Sequence, residues 1–217
     1  MNEEAGTDSS VEGIRWAPID ASTDIVIEGF PRSANTYAVV AFRFAQERKH
    51  RIAYRLHAPI QLMAACRAGI PAIALIRNPK DAVLSWVIHR SDVSMEDALM
   101  GYESFYKALL PYRDKLVVAD FKAITNDYGT VIRRVNEKYG TDFQEFPQSE
   151  ENVDKCFSII DEYYSEASEG VIPQNAVARP SEERKKLKEA LKGEYDNARY
   201  RELKLRAEHA YSVLIEA

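Results

Sequence analysis

Four short runs rich in β-branched and small apolar residues alternate with stretches of helical periodicity. This alternation narrows the fold more than any other feature of the chain. The runs are IVIEGF at 25–30, HRIAYRLH at 50–57, PAIALIR at 71–77 and KLVVADF at 115–121. Between and after them, TYAVVAFRFAQERK, PIQLMAACRAG, PKDAVLSWVIHR and ITNDYGTVIRRVNEKYG have apolar residues at helical spacing. Two parallel strands cannot be joined by a tight hairpin, so each helix serves as a crossover. The pattern predicts an α/β fold with a mostly parallel central sheet and helices on both faces.

The 217 residues suffice for one domain with a sizeable core. Residues 1–22 read as a polar leader, with Trp16 tucked onto the body, and 23–217 as a single domain. Proline opens the helix at 79 and Gly69 closes the one before it. The segment 95–113 reads as one longer amphipathic helix, 147–178 as weak helix mixed with loop, and the last two segments as helices.

A net charge of -5 argues against general nucleic-acid binding while leaving room for a local basic pocket. Cys66 and Cys156 offer at most one disulfide and have no metal-type spacing, which fits a reduced, cytoplasmic setting. The acidic, polar first residues are no signal peptide. No apolar run approaches the roughly 20 residues of a membrane span. No feature specifies an oligomeric state.

The segment GFPRSANTY at 29–37 lies between the first strand and the first helix. Strand, tight turn and helix are the layout of a phosphate-binding loop, whose template is G-x-x-x-x-G-K-[ST]. Here Ala34 stands for the second glycine and Asn35 for the lysine. Loop amides and a helix N-terminus favour an anion. Arg32 adds a planar, permanent charge, and Ser33, Asn35 and Thr36 add donors. The missing lysine, and a neighbouring strand that ends in the base Arg77, disfavour a magnesium-dependent nucleotide hydrolase or kinase. Alone, the stretch has a second, less favoured reading as a turn with a helix cap.

A second constellation sits at AIALIRNPKDAVLSW. Arg77 ends a strand, where open α/β sheets bind ligands. Ser85 lies eight residues later, about two turns into the next helix. Arginine and serine so placed can clasp one phosphate; as an isolated pair they read as a surface ion pair and a packing residue.

Together these motifs resemble the PAPS-dependent sulfotransferases, whose donor is 3′-phosphoadenosine 5′-phosphosulfate. The family's 5′-phosphosulfate loop, P-[KR]-S-G-[TS]-[TS]-[WYL], is matched by Pro31-Arg32-Ser33-Ala34-Asn35-Thr36-Tyr37 except at Ala34 and Asn35, where this chain departs from it. Its 3′-phosphate motif, R-N-P-x-D-x-x-x-S, is matched at every fixed position by Arg77-Asn78-Pro79-Lys80-Asp81-Ala82-Val83-Leu84-Ser85. A [KR]-x-H-x-P segment between them is matched by Arg55-Leu56-His57-Ala58-Pro59. The likeness covers residues 24–90 and extends more weakly over 115–140.

The resemblance implies a P-loop-like, sulfotransferase-type fold that binds PAPS, releases the bisphosphate PAP and needs no metal. It implies His57 as general base, with Arg32 and Arg55 on the transferring group. It implies Arg32, Ser33, Ala34, Asn35, Thr36 and Tyr37 around the 5′ end and the adenine, and Arg77 and Ser85 on the 3′-phosphate. Phe121 takes an aromatic position near the adenine, although Lys122 replaces the acidic residue that accompanies it. Arg179 is the candidate cation of a loop closing over the 3′-phosphate, or else belongs to an ordinary loop before Ser181. The basic run at 184–188 reads as a solvated helix face, and His89, one helical turn after Ser85, as packing in preference to an approach to the site.

The implied reaction moves a sulfuryl group to a hydroxyl or amine of a small-molecule or carbohydrate acceptor. A P-loop-like kinase and a non-catalytic nucleotide-binding relative are the alternatives. If the position of Ala34 requires a positive φ, alanine is strained there. Tyr102, Phe105 and Tyr106 form a candidate acceptor wall, although that spacing is more often core. Should His57 not be the base, Glu28 at the strand tip is the next candidate.

Overall fold

Every strand of the sheet runs parallel to its neighbours in the computed structural model, which describes residues 16–167 and 182–216. The strands are β1 (Ile25–Gly29), β2 (Ile52–Tyr54), β3 (Ala72–Ile76) and β4 (Val117–Asp120), in the order β2-β1-β3-β4. The described helices are α1 (Asn35–Ala45), α2 (Pro59–Ala68), α3 (Pro79–His89), α4 (Met95–Lys107), α5 (Phe121–Asn126), α6 (Tyr128–Tyr139), α7 (Glu150–Ala167), α8 (Glu182–Tyr195) and α9 (Arg201–Ile215). The predicted α/β class is the observed one. Among the described residues no helix is long and apolar enough to cross a membrane.

Side-chain alternation along the strands divides the core in two. Ile25, Ile27, Tyr54, Ile73 and Leu75 pack against α1, α6 and α7. Val26, Ala53, Ala74 and Ile76 pack on the other face against α2, α3, α4 and α9. Since both faces are covered, β1 and β3 are buried at every position.

This wiring creates the site. From β1 the chain crosses through α1 to β2 on one side; from β2 it crosses through α2 to β3 on the other. The direction reverses between β1 and β3, and a crevice opens beyond their C-terminal ends. The two strands approach so closely there that a Cβ on Gly29 would lie 2.3 Å from the Leu75 carbonyl oxygen. Only glycine fits at that point.

Several boundaries differ from the sequence reading. β2 stops at Tyr54, because the backbone turns left-handed at Arg55 (φ 57) and His57 (φ 52). The helix predicted to 113 ends at Lys107 and gives way to a 3-10 turn, Leu110–Lys115, at whose start sits Pro111. The helix predicted over 124–140 is two, broken at Asp127, whose side chain accepts from the Thr130 amide at 3.4 Å. Residues 150–167 are one continuous helix. Trp16 is 59% exposed; the residue that docks is its neighbour Ala17, in an antiparallel bridge to Tyr54.

Candidate active site

The turn from β1 to α1 is held in an unusual backbone. Arg32 (φ 68) and Ala34 (φ 67) are left-handed at alternate positions. With Arg55 and His57 they are the non-glycine residues of positive φ among those described, and all four line one cavity. Such conformations cost on the order of 1 kcal/mol each and cluster at functional sites. The condition attached to Ala34 in the sequence is met: the position does require a positive φ. As N-cap of α1, Ala34 offers no side-chain acceptor, so the first amides of the helix are left for a ligand or water.

The turn is propped from beneath. Tyr106 of α4 donates its hydroxyl to the Leu75 carbonyl at 2.8 Å and accepts from the Phe30 amide at 3.3 Å. Ser33, fully buried, has Oγ 3.3 Å from the same hydroxyl. Its side chain therefore supports the loop from below and does not reach the cavity, a correction to its expected place among the donors. Asn35 is also turned inward: its Nδ2 donates to the Phe30 carbonyl at 3.0 Å. Its Oδ1 is buried without a hydrogen-bond partner.

The second motif meets the first across the crevice. Arg77 leaves β3 and donates from Nη1 to the Arg32 carbonyl at 3.0 Å, while Arg32 donates from Nε to Ser85 Oγ at 3.2 Å. Asn78 caps α3 through its side chain, and Pro79 opens the helix. Tyr102 fixes the Arg77 carbonyl with a 2.6 Å hydrogen bond. The Arg77 guanidinium lies 4.0 Å over the ring of Phe121, which is the first residue of α5. Residues 45 apart in sequence thus share one set of hydrogen bonds.

The cavity they line has a volume of about 480 Å³, within the usual range for a ligand site. Its walls carry Arg32, Arg55, Arg77, Arg184, Lys185 and Lys188, and no acidic residue among the described residues. Burial, followed by the nearby Arg184, Arg77 and Arg55, pushes the Arg32 guanidinium down to about 10. Burial also lowers Arg77 and Arg184. Such crowding of cations is what a multiply charged anion relieves.

His57 lines the cavity from the β2–α2 turn. Its Nδ1 lies 3.0 Å from the Gly29 carbonyl oxygen and 3.6 Å from Glu28 Oε1. Burial holds its pKa below the ordinary value, with Arg55, Arg32 and His89 adding repulsion. Glu28, fully buried, accepts from the Gly29 amide at 3.0 Å, Leu56 amide at 2.8 Å, His57 amide at 3.2 Å and Gln61 Nε2 at 2.9 Å.

Of the expected site residues, Arg32, Ala34, Asn35, Thr36, Tyr37, Arg55, His57, Arg77, Ser85 and Phe121 line this cavity together. Tyr37 does so from its floor: it is 5% exposed, its ring tilted against Phe157 and edge-on to Phe146. Arg179 and Ser181 lie outside the described residues.

Three sequence readings are corrected. The basic run at 184–188 is only in part a solvated face: Lys185, Lys186 and Leu187 are exposed, but Arg184, Lys185 and Lys188 line the cavity and Lys188 joins Asp81 of α3 at 2.9 Å. His89 also lines the cavity, beside Trp86. Tyr102, Phe105 and Tyr106 are core, at most 3% exposed, and do not form an acceptor wall. The aromatic residues that do line the cavity, and that sequence reading passed over, are Trp86, Phe157 and Tyr164. The spacing of Arg184, Lys185 and Lys188 on one side of a helix was the only signal for α8, and it says nothing about what that side meets.

No protein-family model matches the chain, and no curated protein sequence matches it. Among solved structures it is similar to the crystal structure of mouse sulfotransferase SULT7A1 complexed with PAP, at 13% sequence identity and a TM-score of 0.48, over 87% of this chain and 90% of that one.

Proposed function

We propose that this protein is a PAPS-dependent sulfotransferase acting on a hydroxyl or amine of a small-molecule or carbohydrate acceptor. The observation that carries the reading is the meeting of Arg32, Arg77 and Ser85, from two motifs distant in sequence, at the rim of one cationic cavity. The uncapped α1 terminus, the crowded guanidiniums and the absence of acidic lining among the described residues fit a ligand with anions at both ends. When bound, PAPS supplies the sulfuryl group and leaves as PAP, with the electron pair of the broken bond on its phosphate oxygen.

The residues divide the work by position. Arg77 and Ser85 hold the 3′-phosphate, which separates this donor from ordinary adenylates. Arg32 and the α1 amides face the 5′ end, where a fixed cation stabilises the charge that grows on the leaving oxygen. Burial keeps His57 neutral near pH 7, and its ring takes the proton as the acceptor oxygen or nitrogen attacks sulfur. Trp86 and His89 line the same cavity as His57 and are the residues assigned to border the acceptor.

Calorimetric binding of 3′,5′-adenosine bisphosphate against ATP with Mg²⁺ tests this reading. The bisphosphate is expected to bind and to lose at least tenfold in affinity in Arg77→Ala, which removes a charge-assisted phosphate contact. Preference for the magnesium nucleotide would overturn it in favour of a kinase, and binding of neither in favour of a non-catalytic relative.

A further inference from the structure

Glu28 has no part in the reaction described above, yet it is the fully buried carboxylate beside the proposed base. A buried charge without a task is rare, because its desolvation is not recovered unless it is paired or hydrogen-bonded. All four of its hydrogen-bond partners are N–H donors: three backbone amides and the Gln61 side chain. None can accept a carboxyl proton, so the surroundings are built for the ionised form. Two of those amides belong to Leu56 and His57, in the turn where Arg55 and His57 are left-handed.

The imidazole is oriented by the same strand end. Its Nδ1 faces the Gly29 carbonyl at 3.0 Å and Glu28 Oε1 at 3.6 Å, both acceptors. A carbonyl cannot donate, so the neutral ring carries its hydrogen on Nδ1 and leaves Nε2 as the basic nitrogen. When Nε2 takes a proton, the resulting cation lies beside the carboxylate. The other groups that face the ring oppose that charge: Arg32 from the β1–α1 turn, Arg55 from its own turn and His89 from α3. Glu28 in turn is faced by Gln61 of α2 and Tyr106 of α4.

We infer that Glu28 is a positioning residue for His57. Its carboxylate fixes the β2–α2 turn through the Leu56 and His57 amides, selects the Nδ1–H tautomer jointly with the Gly29 carbonyl, and offsets the surrounding cations when the ring is protonated. The inference deepens the sulfotransferase reading and rests on His57 being its base. Burial pushes Glu28 up to about 7 and His57 below its ordinary value. Above pH 7 the pair is therefore carboxylate and neutral imidazole, the state a base requires.

The test is long-range ¹H–¹⁵N spectroscopy of the imidazoles of the full-length, ¹⁵N-labelled chain across pH, which needs no turnover. The wild-type protein is expected to show His57 as the Nδ1–H tautomer. Carboxyl and imidazole titrate as a coupled pair whose first proton is taken up near pH 7, so Glu28→Gln is expected to shift the titration seen at the His57 ring to lower pH by removing that upper step. Glu28→Asp, which keeps the charge, is expected to restore most of the shift. The acid limb of kcat/KM should move to lower pH in Glu28→Gln, with PAP affinity within about twofold of wild type, a pattern that loosened packing alone does not produce. An Nε2–H tautomer in the wild type overturns the inference even if Glu28→Gln does not fold. So does an unchanged titration in a folded Glu28→Gln. If tautomer and titration come out as expected but neither PAP binding nor transfer is found, the sulfotransferase reading fails while the pairing of Glu28 with His57 stands.

Discussion

The two crossover turns at the end of the sheet, β1 to α1 and β2 to α2, solve one problem with different chemistry. Each places left-handed residues at alternate positions, Arg32 and Ala34 in the first, Arg55 and His57 in the second. The first is propped by a phenol: Tyr106 reaches the Leu75 carbonyl, the Phe30 amide and Ser33 Oγ. The second is propped by a carboxylate: Glu28 takes the Leu56 and His57 amides. Burial pushes the Tyr106 hydroxyl far above neutrality, so that support never titrates in the working range. Glu28 is pushed up to about 7, so its support does. The turn facing the proposed anion is thus indifferent to pH, and the turn carrying the proposed base is sensitive to it.

Removing the proposed base separates the turns most sharply. His57→Ala is expected to lower turnover by about 10²- to 10⁴-fold, the usual worth of a positioned proton acceptor, while PAP affinity stays near wild type. Steady-state kinetics beside calorimetry checks it. Turnover within threefold of wild type would remove His57 from the mechanism.

A smaller effect concerns stability. A carboxyl raised from 4.5 in the unfolded chain to about 7 in the folded one leaves the native state holding more protons between those values. Its contribution is full below pH 4.5 and is lost as pH rises through 7, by about 3 kcal/mol. Glu28→Gln should therefore gain on the wild type by about that amount between pH 4.5 and pH 8. Urea titrations at both ends measure the difference, and parallel curves would show that Glu28 is not shifted.

Tyr106→Phe probes the other turn. It leaves the Phe30 amide and the Leu75 carbonyl without this partner in a buried setting, at a cost of about 2 kcal/mol. That cost should be independent of pH between 5 and 8, unlike the Glu28 effect, and PAP affinity should fall several-fold as the loop loosens. The smallest change sharpens the comparison: Ala34→Gly relieves a left-handed alanine at φ 67. A gain of about 0.5–1 kcal/mol is expected after the larger unfolded-state entropy of glycine is subtracted. A loss would mean that the methyl group packs favourably in the turn.

Much of the site was legible because its parts sit where strands end. Arg77 at the tip of β3, the GFPRSANTY turn after β1 and His57 after β2 could be placed from periodicity and motif spacing, since strand tips are fixed by local pattern. Three features were not legible for one shared reason. Ser33 was assigned to the ligand as a polar loop residue, but its Oγ faces Tyr106 and it does not line the cavity. The basic run on α8 was assigned to solvent, but the Lys188–Asp81 pair and the packing of α8 on α3 bring Arg184, Lys185 and Lys188 to the cavity while Lys186 stays exposed. Glu28 was set down as a spare acid, but Leu56, His57 and Gln61 enclose it. In each case the chemistry of the side chain was clear and its direction was not.

By itself, then, the sequence determined the strand–helix alternation, the parallel sheet and the strand ends that carry the cations, because these follow from interactions within a few residues of chain. Tertiary structure alone decided which polar groups face the cavity and which hold it up. That choice depends on contacts between residues 28 to 107 positions apart, such as Glu28 with Leu56 or Asp81 with Lys188. Local periodicity has no term for such contacts, because a buried polar group is settled only by the partner that reaches it.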